Sequence, residues 1–530
     1  MSLRSVLWAL APALAAPASF AGPYASQIAW SSPAMTLGVS VVDVRYYLSS
    51  QADAVTIEVV PLDGGPAVAS FSGPSAPGPH AVAWNGRTDN AAGPLVPPGP
   101  YHLRVRVQRA DGAAWELVRS NSTPNGAGHI QTLPGTFPSS GVAIDINPEN
   151  PRFGQIFVSV STLGATNGPH GALLVHPDLQ PADLTQLYIA DLPWVGGSTS
   201  DLAPWGIHVA PDGEIWATGS TPGGGGVELA RGLPDGTGDR DVGSAHPMVD
   251  QPPDVWVTGT GANRVIRWTQ GTLGNGAVMR AAIGDSPTLD GVPVIREVDG
   301  ASDQGFYGRS LCVDDGGNLY ILTRVSQIGG VTIVYRFDAA ALAAGPLPLN
   351  TAQAAWAVTV AAAPSLAGAG LAIDHRNRAD AGDDIIYALL PLNAPPAGTQ
   401  AGIYRVGISG TATRTLVLTP DDRVVDLSAE TISGVRADIA CDWGGNIVME
   451  EPFNEELRIY APPGPSDVTT PGPSGQILTA TAPGEVPGVE AIADHILGLV
   501  PLEGDDLAAA DLEPDGRIDA ADLVRRAALP

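Results

Sequence analysis

Between about residues 120 and 465 the sequence repeats one short pattern: an apolar strand, a tight turn rich in glycine and aspartate, and a second apolar strand. The clearest copies are Gly141–Ser159, Gly206–Thr218, Ser310–Leu322, Gly370–Ala388 and Asp438–Met449. A unit of three or four antiparallel strands cannot bury both of its faces alone, whereas units stacked radially cover one another. The repeat therefore predicts a mainly β fold built from several small sheets.

The second and third copies begin 104 residues apart, at Gly206 and Ser310, which leaves room for another unit between them. Weaker strands at Asp254–Thr258 and Asn263–Trp268 fill that interval. Taken together, the copies resemble NHL-type and related six-bladed β-propellers. The resemblance implies a propeller over residues 120–465 with six blades, five and seven being the alternatives.

Residues 38–109 alternate apolar and polar side chains, as in strands that are buried on one face, and we expect them to form most of a domain at residues 22–115. Two segments, Val82–Asp89 and Gly93–Tyr101, resemble the Ig-like module of flagellar hook-capping proteins. The resemblance implies an N-terminal β-sandwich with Trp84 in its core. Such modules act as spacers, so the resemblance says little about chemistry.

The last twenty residues contain acidic side chains at positions 1, 3, 5, 9 and 12 of a twelve-residue loop, with Gly516 at position 6. Ca2+ takes six to eight oxygen ligands, and this spacing wraps them around one point. The predicted ligands are Asp511, Glu513, Asp515, Arg517 through its backbone carbonyl, Asp519 and Asp522. We expect this loop to bind Ca2+; the alternative is a solvated acidic turn that precedes a helix.

Residues 476–530, which follow a Pro/Gly linker at 466–475, resemble a type I dockerin. Helices are expected at Glu490–Gly498 and Ala520–Leu529, on either side of the calcium loop. The resemblance implies a small α-helical domain that docks to a cohesin-like protein or a cell-surface scaffold. Two features depart from the family: Gln476–Glu485 carries one acidic residue where a first calcium loop has several, and Ala520 and Ala521 occupy the positions that read the partner.

The formal net charge is −28, and all 27 basic residues are arginine. Without lysine the chain has no Schiff-base or P-loop chemistry. An acidic balance disfavours nucleic acid and anionic membranes as partners, because binding phosphates requires clustered cations. It is compatible with calcium and with neutral glycans.

The N-terminus has the pattern of an export signal over residues 1–21: Arg4, an apolar run at Val6–Ala16, and small residues at Ser19 and Ala21. The run is too short to cross a bilayer, and no later stretch of eighteen apolar residues occurs. We expect a secreted, extracellular protein without a transmembrane segment, either free or attached to the cell surface.

Four aspartates occupy the same position at the end of the first strand of a repeat: Asp145, Asp314, Asp374 and Asp442. They could form a metal-binding ring, but a feature repeated in most units is more typical of turns in which the carboxylate accepts backbone N–H groups. The Gly-x-Ser-x-Gly, His-Glu-x-x-His and Cys-x-x-Cys motifs are all missing from the sequence, so we assign no catalytic residue.

Positions that break the repeat are better candidates for a ligand or a second metal site. His208 replaces a small residue in its copy, and a polar insertion follows the fourth first strand. The candidate residues are His208, Asp374, Asp380, Asp383 and Asp384. A solvated loop is the alternative for the insertion. Trp194, Trp205 and Trp216 could stack on sugars, or pack in the core.

The repeat register places Cys312 and Cys441 one position apart on equivalent strands, so their side chains point to opposite faces. We expect two unpaired buried thiols. The leading functional hypothesis is a secreted binding or scaffold protein whose propeller presents a ligand surface and whose tail binds Ca2+. The alternative is an extracellular carbohydrate-active hydrolase or lyase that carries the tail as an address tag.

Overall fold

The computed structural model describes most of the chain between residues 22 and 482. The described residues are 22–110, 112–121, 136–162, 171–180, 187–188, 204, 206–219, 229–233, 240–241, 254–270, 277–283, 292–296, 306–325, 331–344, 347–362, 370–375, 380, 382–390, 400–410, 415–428, 437–451 and 456–482. The predicted signal peptide and the calcium loop with its flanking helices lie outside these ranges and remain predictions.

Two sheets pack face to face at the N-terminal end. In chain order their first strands are β1 (Ala25–Trp30), β2 (Ala34–Thr36), β3 (Val42–Leu48), β4 (Ala54–Pro61), β5 (Ala69–Ser72), β6 (Gly78–Trp84) and β7 (Gly99–Arg109). β1, β3 and β6 form one sheet, while β2, β4, β5 and β7 belong to the other. The alternating pattern buries one face of each strand between the sheets, where Trp84 is fully buried and its ring centroid lies 5.6 Å from that of Trp30.

Six further sheets follow along the chain. The strand β8 (Glu116–Ser120) comes first in the chain and belongs to the sixth of these sheets. The first three sheets contain β9 (Thr136–Ile144), β10 (Ile156–Thr162), β11 (Gly171–Val175) and β12 (Leu187–Tyr188); then β13 (Ile207–Val209), β14 (Ile215–Thr218), β15 (Leu229–Gly232) and β16 (Arg240–Asp241); and then β17 (Val255–Thr258), β18 (Arg264–Gln270), β19 (Ala277–Ile283) and β20 (Val292–Arg296). The fourth sheet begins with β21 (Phe306–Val313), β22 (Leu319–Val325), β23 (Val331–Phe337) and β24 (Trp356–Ala362); the chain then forms β25 (Leu371–Asp374), β26 (Ile385–Leu390), β27 (Gly402–Ile408), β28 (Thr415–Val417) and β29 (Arg423–Asp426), of which all but β28 make up the fifth sheet; and the sixth contains β30 (Asp438–Cys441), β31 (Ile447–Glu451) and β32 (Glu456–Ala461). One short helix, α1 (Ala339–Ala344), and 3-10 turns at Gly261–Asn263, Thr351–Gln353 and Pro420–Asp422 lie among the described residues.

The first strands of these sheets contact one another in a closed cycle, from β9 through β13, β17, β21, β25 and β30 back to β9. Each sheet runs outward from its first strand as an antiparallel meander. β28 adds to the edge of the fourth sheet, parallel to β24. Apolar residues of neighbouring sheets share the buried clusters between them. The mainly β prediction is confirmed, and the arrangement is β-propeller-like.

The sixth sheet combines strands from both ends of the repeat region. β30, β31 and β32 come from the last copy, and β8 pairs antiparallel with β32 from before the first copy. Backbone hydrogen bonds thus join the two ends of the ring.

The expected linker at 466–475 is instead part of the N-terminal sheet. β33 (Ser466–Pro471) and β34 (Leu478–Thr481) both pair antiparallel with β7, so the start of the segment predicted to be dockerin-like also lies in this sheet. The segment buries Val468, Leu478 and Ala480, and its strands complete an edge of β7 that would otherwise expose unpaired backbone groups. Flanking prolines and glycines concealed this short alternation in the sequence, and Pro471 is tolerated because it ends an edge strand.

Candidate functional site

The first strands surround a narrow cavity of about 60 Å3 on the axis of the ring. A wider cavity of about 430 Å3 adjoins it at the end where these strands finish. His208, Trp256 and His375 line both spaces. Concave spaces with few polar groups among apolar walls are where proteins usually bind small ligands, so we take this axial cavity as the candidate site.

The ring is least symmetric at the third residue of the repeat copies, counted from Gly141, Gly206, Asp254, Ser310, Gly370 and Asp438. The occupants of this position are Ala143, His208, Trp256, Cys312, Ala372 and Ala440. The imidazole of His208 lies against the indole of Trp256, with centroids 4.2 Å apart and the rings tilted by 36°. Two neighbouring sheets therefore form an aromatic wall where three others present only a methyl group.

The ionisation state of His208 follows from its surroundings. Burial lowers the pKa of His208 to about 3, which outweighs the stabilising contact with a carbonyl. Its Nε2 lies 3.2 Å from the carbonyl oxygen of Val257 and, because a carbonyl only accepts, must donate. At neutral pH the ring is uncharged, and Nδ1 is then a hydrogen-bond acceptor.

At the opposite end of the first strands, Asp254 and Asp438 join neighbouring sheets. Asp254 accepts the Leu311 N–H at 3.0 Å and the Ser310 hydroxyl at 2.8 Å, while Asp438 accepts the Val142 N–H at 3.1 Å. Burial raises the pKa of Asp254 to about 6. Burial, and then the charge of Asp254, raise the pKa of Asp438 well above its ordinary value. The main role of these carboxyls is therefore to hydrogen-bond one sheet to the next.

Three of the four equivalent aspartates serve the turns that follow them. Asp145, Asp314 and Asp442 accept the backbone N–H groups of Asn147, Asn318 and Asn446 at 3.1, 2.8 and 2.9 Å. This is the turn-forming use that their repetition indicated. Asp374 is buried at the equivalent position.

A group of mixed chemistry lies at the rim of the wider cavity. Nδ1 of His375 is 3.0 Å from Oδ1 of Asp315 and 3.7 Å from Oδ1 of Asp384. The three residues offer one ligand atom each, all within 4.8 Å of one another. Asp384 comes from the predicted insertion, but its neighbours are Asp315 and His375, which the sequence interpretation did not select.

The remaining predicted site residues divide as follows. His208 lines the cavity as a repeat-breaking residue. Asp380 accepts the N–H of Gly382 at 3.0 Å within its own exposed loop, and Asp383 follows in the same loop. All six predicted calcium ligands lie outside the described residues: Asp511, Glu513, Asp515, Arg517, Asp519 and Asp522.

Of the three tryptophans considered for sugar stacking, Trp216 is fully buried, with the guanidinium groups of Arg231 and Arg264 near its ring. It is therefore unavailable to a ligand, and Trp194 and Trp205 lie outside the described residues. Trp256 lines the cavity instead. Comparing the occupants of one repeat position, rather than searching for aromatic residues near strand ends, would have identified it.

Comparisons with known proteins give matches among solved structures, whereas no family model and no curated protein matches the chain. Among solved structures, the chain is similar to PorZ, a surface component of the type-IX secretion system of Porphyromonas gingivalis, with 10% identity over 80% of this chain and a TM-score of 0.32. The match spans 61% of the PorZ chain.

Two other solved structures are similar at the same level. The Hadza microbial sialidase Hz136 shows 12% identity over 81% of this chain and 94% of its own, with a TM-score of 0.38. A protein of unknown function from Dyadobacter fermentans shows 10% identity over 62% of this chain and 100% of its own, with a TM-score of 0.35. These likenesses concern the fold alone. Separately, no helix within the described ranges is long and apolar enough to cross a membrane.

Proposed function

We propose that the chain is a binding protein built on a six-bladed β-propeller, and that its axial cavity holds a small polar ligand of the carbohydrate class. The closed cycle of six first strands and the completion of the sixth sheet by β8 support the blade number. The acidic chain, without lysine, favours a neutral ligand over a phosphorylated one.

One observation supports a carbohydrate as the ligand: His208 and Trp256 form an aromatic wall on the axis of the ring. An indole offers an apolar face to the C–H groups of a sugar ring, while a neutral imidazole and nearby carboxylates can bond to its hydroxyls. Asp315 and Asn147 also line the wider cavity. Aromatic faces together with a few polar groups are typical of specific small-molecule sites.

The sharpest test is His208→Ala, because Ala143, Ala372 and Ala440 occupy the same position in three other sheets. The variant should fold while losing one side of the wall. Calorimetric titration with a panel of neutral mono- and oligosaccharides should identify a ligand of the native chain. The variant should bind that ligand at least about tenfold more weakly, equal to about 1.4 kcal/mol.

The matched control is Trp115→Ala, which removes a half-buried indole that packs on Tyr387 and not on the axial cavity. It should leave the affinity unchanged. If no saccharide binds the native chain, or if His208→Ala binds as the native chain does, the proposed ligand site is wrong.

A second candidate function is hydrolysis or eliminative cleavage of a polysaccharide. The group of Asp315, His375 and Asp384 at the cavity rim favours it, since carboxylates and imidazole are the usual proton-transfer groups. The same saccharide panel decides between the two functions: binding without release of reducing ends or unsaturated products supports the binding protein, whereas turnover supports the enzyme.

We also propose that the chain is exported and that its tail binds Ca2+ and docks to an extracellular partner, with a cohesin-like or scaffold protein as the candidate. The support is the export-signal pattern at residues 1–21 and the ligand spacing at 511–522. The loss of acidic residues from the first loop predicts one calcium ion in the tail and weak docking.

Substitution at Asp522, the last residue of the predicted loop, tests the calcium site. Calorimetry should show that Asp522→Ala lowers the affinity of one Ca2+ site by at least about tenfold, because position 12 supplies a carboxylate ligand. Glu490→Ala, which changes an acidic residue of the preceding predicted helix, is the control. Equal calcium titrations of Asp522→Ala and the native chain would remove this part of the proposal.

A further inference from the structure

One position of the repeat changes character in two neighbouring sheets. It follows the end of the first strand, immediately after the turn aspartate where one is present. Its occupants are Ile146, Pro211, Gly259, Asp315, His375 and Trp443. Asp315 and His375 carry ionisable side chains on adjacent sheets, beside β21 and β25, whereas the other four occupants are apolar or glycine. A departure of this kind is what distinguishes a site from the repeated scaffold.

Asp384 completes the group from the residue that precedes β26. Its side chain is fully buried. The backbone N–H of Asp315 donates to its Oδ2 at 3.0 Å, and its own N–H donates to the hydroxyl of Ser409 at 3.1 Å. Oδ1 accepts no hydrogen bond from the described residues and lies 3.7 Å from Nδ1 of His375. The fold thus holds one carboxylate oxygen of Asp384 close to the imidazole, and this oxygen accepts no hydrogen bond from the described residues.

We propose that Asp315, His375 and Asp384 bind a divalent cation of the Zn2+ or Mn2+ class. One imidazole nitrogen with two carboxylate oxygens is a donor set that these ions accept, whereas Ca2+ prefers oxygen ligands throughout. Zn2+ lies about 2.0–2.2 Å from such atoms, so neighbouring ligand atoms of its shell lie about 3–4 Å apart. The separations of 3.0 and 3.7 Å from Nδ1 need only small adjustments.

Burial also favours a cation here. Asp384 is removed from water, and its Oδ1 accepts no hydrogen bond from the described residues. A buried carboxylate oxygen without a partner is costly, so a cation bound to it would remove much of that cost. The competing explanation is a protonated His375 that bridges the two carboxylates and leaves no room for a metal.

The group offers three protein ligands, as catalytic metal sites do, instead of the four of a closed structural site. Asp315 and His375 both line the wider axial cavity. The open coordination position would therefore face that cavity, where a hydroxyl or carboxylate oxygen of a ligand could reach the ion. The cation site goes beyond the proposed saccharide binding and does not depend on it.

The experiment uses the full chain, freed of metal with a chelator and then supplied with saturating Ca2+ to occupy the terminal loop. Titration with Zn2+ should show one site that Asp315→Asn and Asp384→Asn each weaken by at least about tenfold. Asp315 is the more exposed ligand, so its variant keeps the test valid if Asp384→Asn does not fold. Asp380→Asn, in the exposed part of the same loop, is the matched control and should bind as the native chain does.

Co2+ gives a second readout, because its visible absorption depends on the ligands. The native chain should show a band that both ligand variants lose and that Asp380→Asn and His208→Ala retain. The proposal is overturned if the native chain binds no Zn2+ beyond that bound by the two ligand variants, the result expected for a protonated His375. Because His208→Ala should keep the metal and lose the saccharide, failure of one proposal is distinguishable from failure of the other.

Discussion

At the residue scale, the chain places carboxyls inside the ring and holds them with backbone N–H groups. Asp442 shows the pattern: it accepts the Asn446 N–H at 2.9 Å and the side-chain amide of Asn446 at 2.8 Å. These bonds do not offset the loss of water. Burial raises the pKa of Asp442 to about 7, and the charge of Asp374 adds to the effect. The folded state therefore binds this proton more tightly than the unfolded chain.

Asp442→Asn should make stability less dependent on pH. Because the folded pKa of about 7 exceeds the ordinary value of 3.8, the contribution is fully present below pH 4 and is lost as the pH rises through 7. One such group changes the free energy of unfolding by up to about 1.4 kcal/mol per pH unit within that window. Urea unfolding at fixed Ca2+ between pH 4.5 and 8 should give the smaller slope for the variant.

Asp89→Asn is the control, because the pKa of Asp89 is shifted in the opposite direction to that of Asp442. Hydrogen bonds from the N–H groups of Ala91 and Gly93 lower the pKa of this exposed carboxyl. Its contribution is present above the unfolded pKa and is lost as the pH falls, so its removal cannot reproduce the change expected for Asp442→Asn. Parallel pH profiles for the native chain and Asp442→Asn would show that the pKa of Asp442 is not raised.

At the scale of elements, the sequence predicts local strands and turns better than it predicts which strands pair with each other. The turns that join first and second strands recur as Gly213, Gly317 and Gly445 with φ of 82°, 80° and 69°. Glycine adopts this conformation without a steric cost, so a turn with Asp or Gly-Gly between apolar runs is legible in the sequence. Neither cysteine forms a disulfide, and both are buried, as their register predicted.

Strand pairings between distant parts of the chain could not be predicted in the same way. Strand β8 pairs with β32, more than 300 residues away in the sequence, and β33 pairs with β7 across a similar separation. Neither pairing leaves a local signal, because each depends on which edges the folded ring and sandwich leave open. The group of Asp315, His375 and Asp384 has the same origin: it exists because two sheets are neighbours, which a search for spacing within one loop does not detect.

At the scale of the whole molecule, the chain leaves the N-terminal sandwich, traverses the ring and returns to the sandwich. The two parts also touch directly. Tyr24 lies against Phe153, and the hydroxyl of Tyr47 donates to Asp178 at 2.8 Å. The backbone N–H of Gly22 donates to the carbonyl oxygen of Gly444 at 2.6 Å. Sandwich and ring are therefore expected to unfold together and not as separate units.

Two truncations test whether the returning strands β33 and β34 stabilise the molecule. One ends after residue 482 and the other after residue 465. The longer form keeps β33 and β34, so it should retain the thermal stability of the full chain measured in saturating Ca2+, while losing the calcium site of the predicted tail. The shorter form loses the buried side chains of Val468 and Leu478 and the ion pair between Asp467 and Arg106.

Burial of each large aliphatic side chain contributes about 1.5–3 kcal/mol, and the shorter form also leaves one edge of β7 unpaired. Scanning calorimetry should show a melting temperature several degrees lower, together with a greater tendency to aggregate through the exposed edge. Equal melting temperatures for the two truncations would mean that the returning strands do not stabilise the sandwich, and a separate early transition in the shorter form alone would mean that they couple the sandwich to the ring.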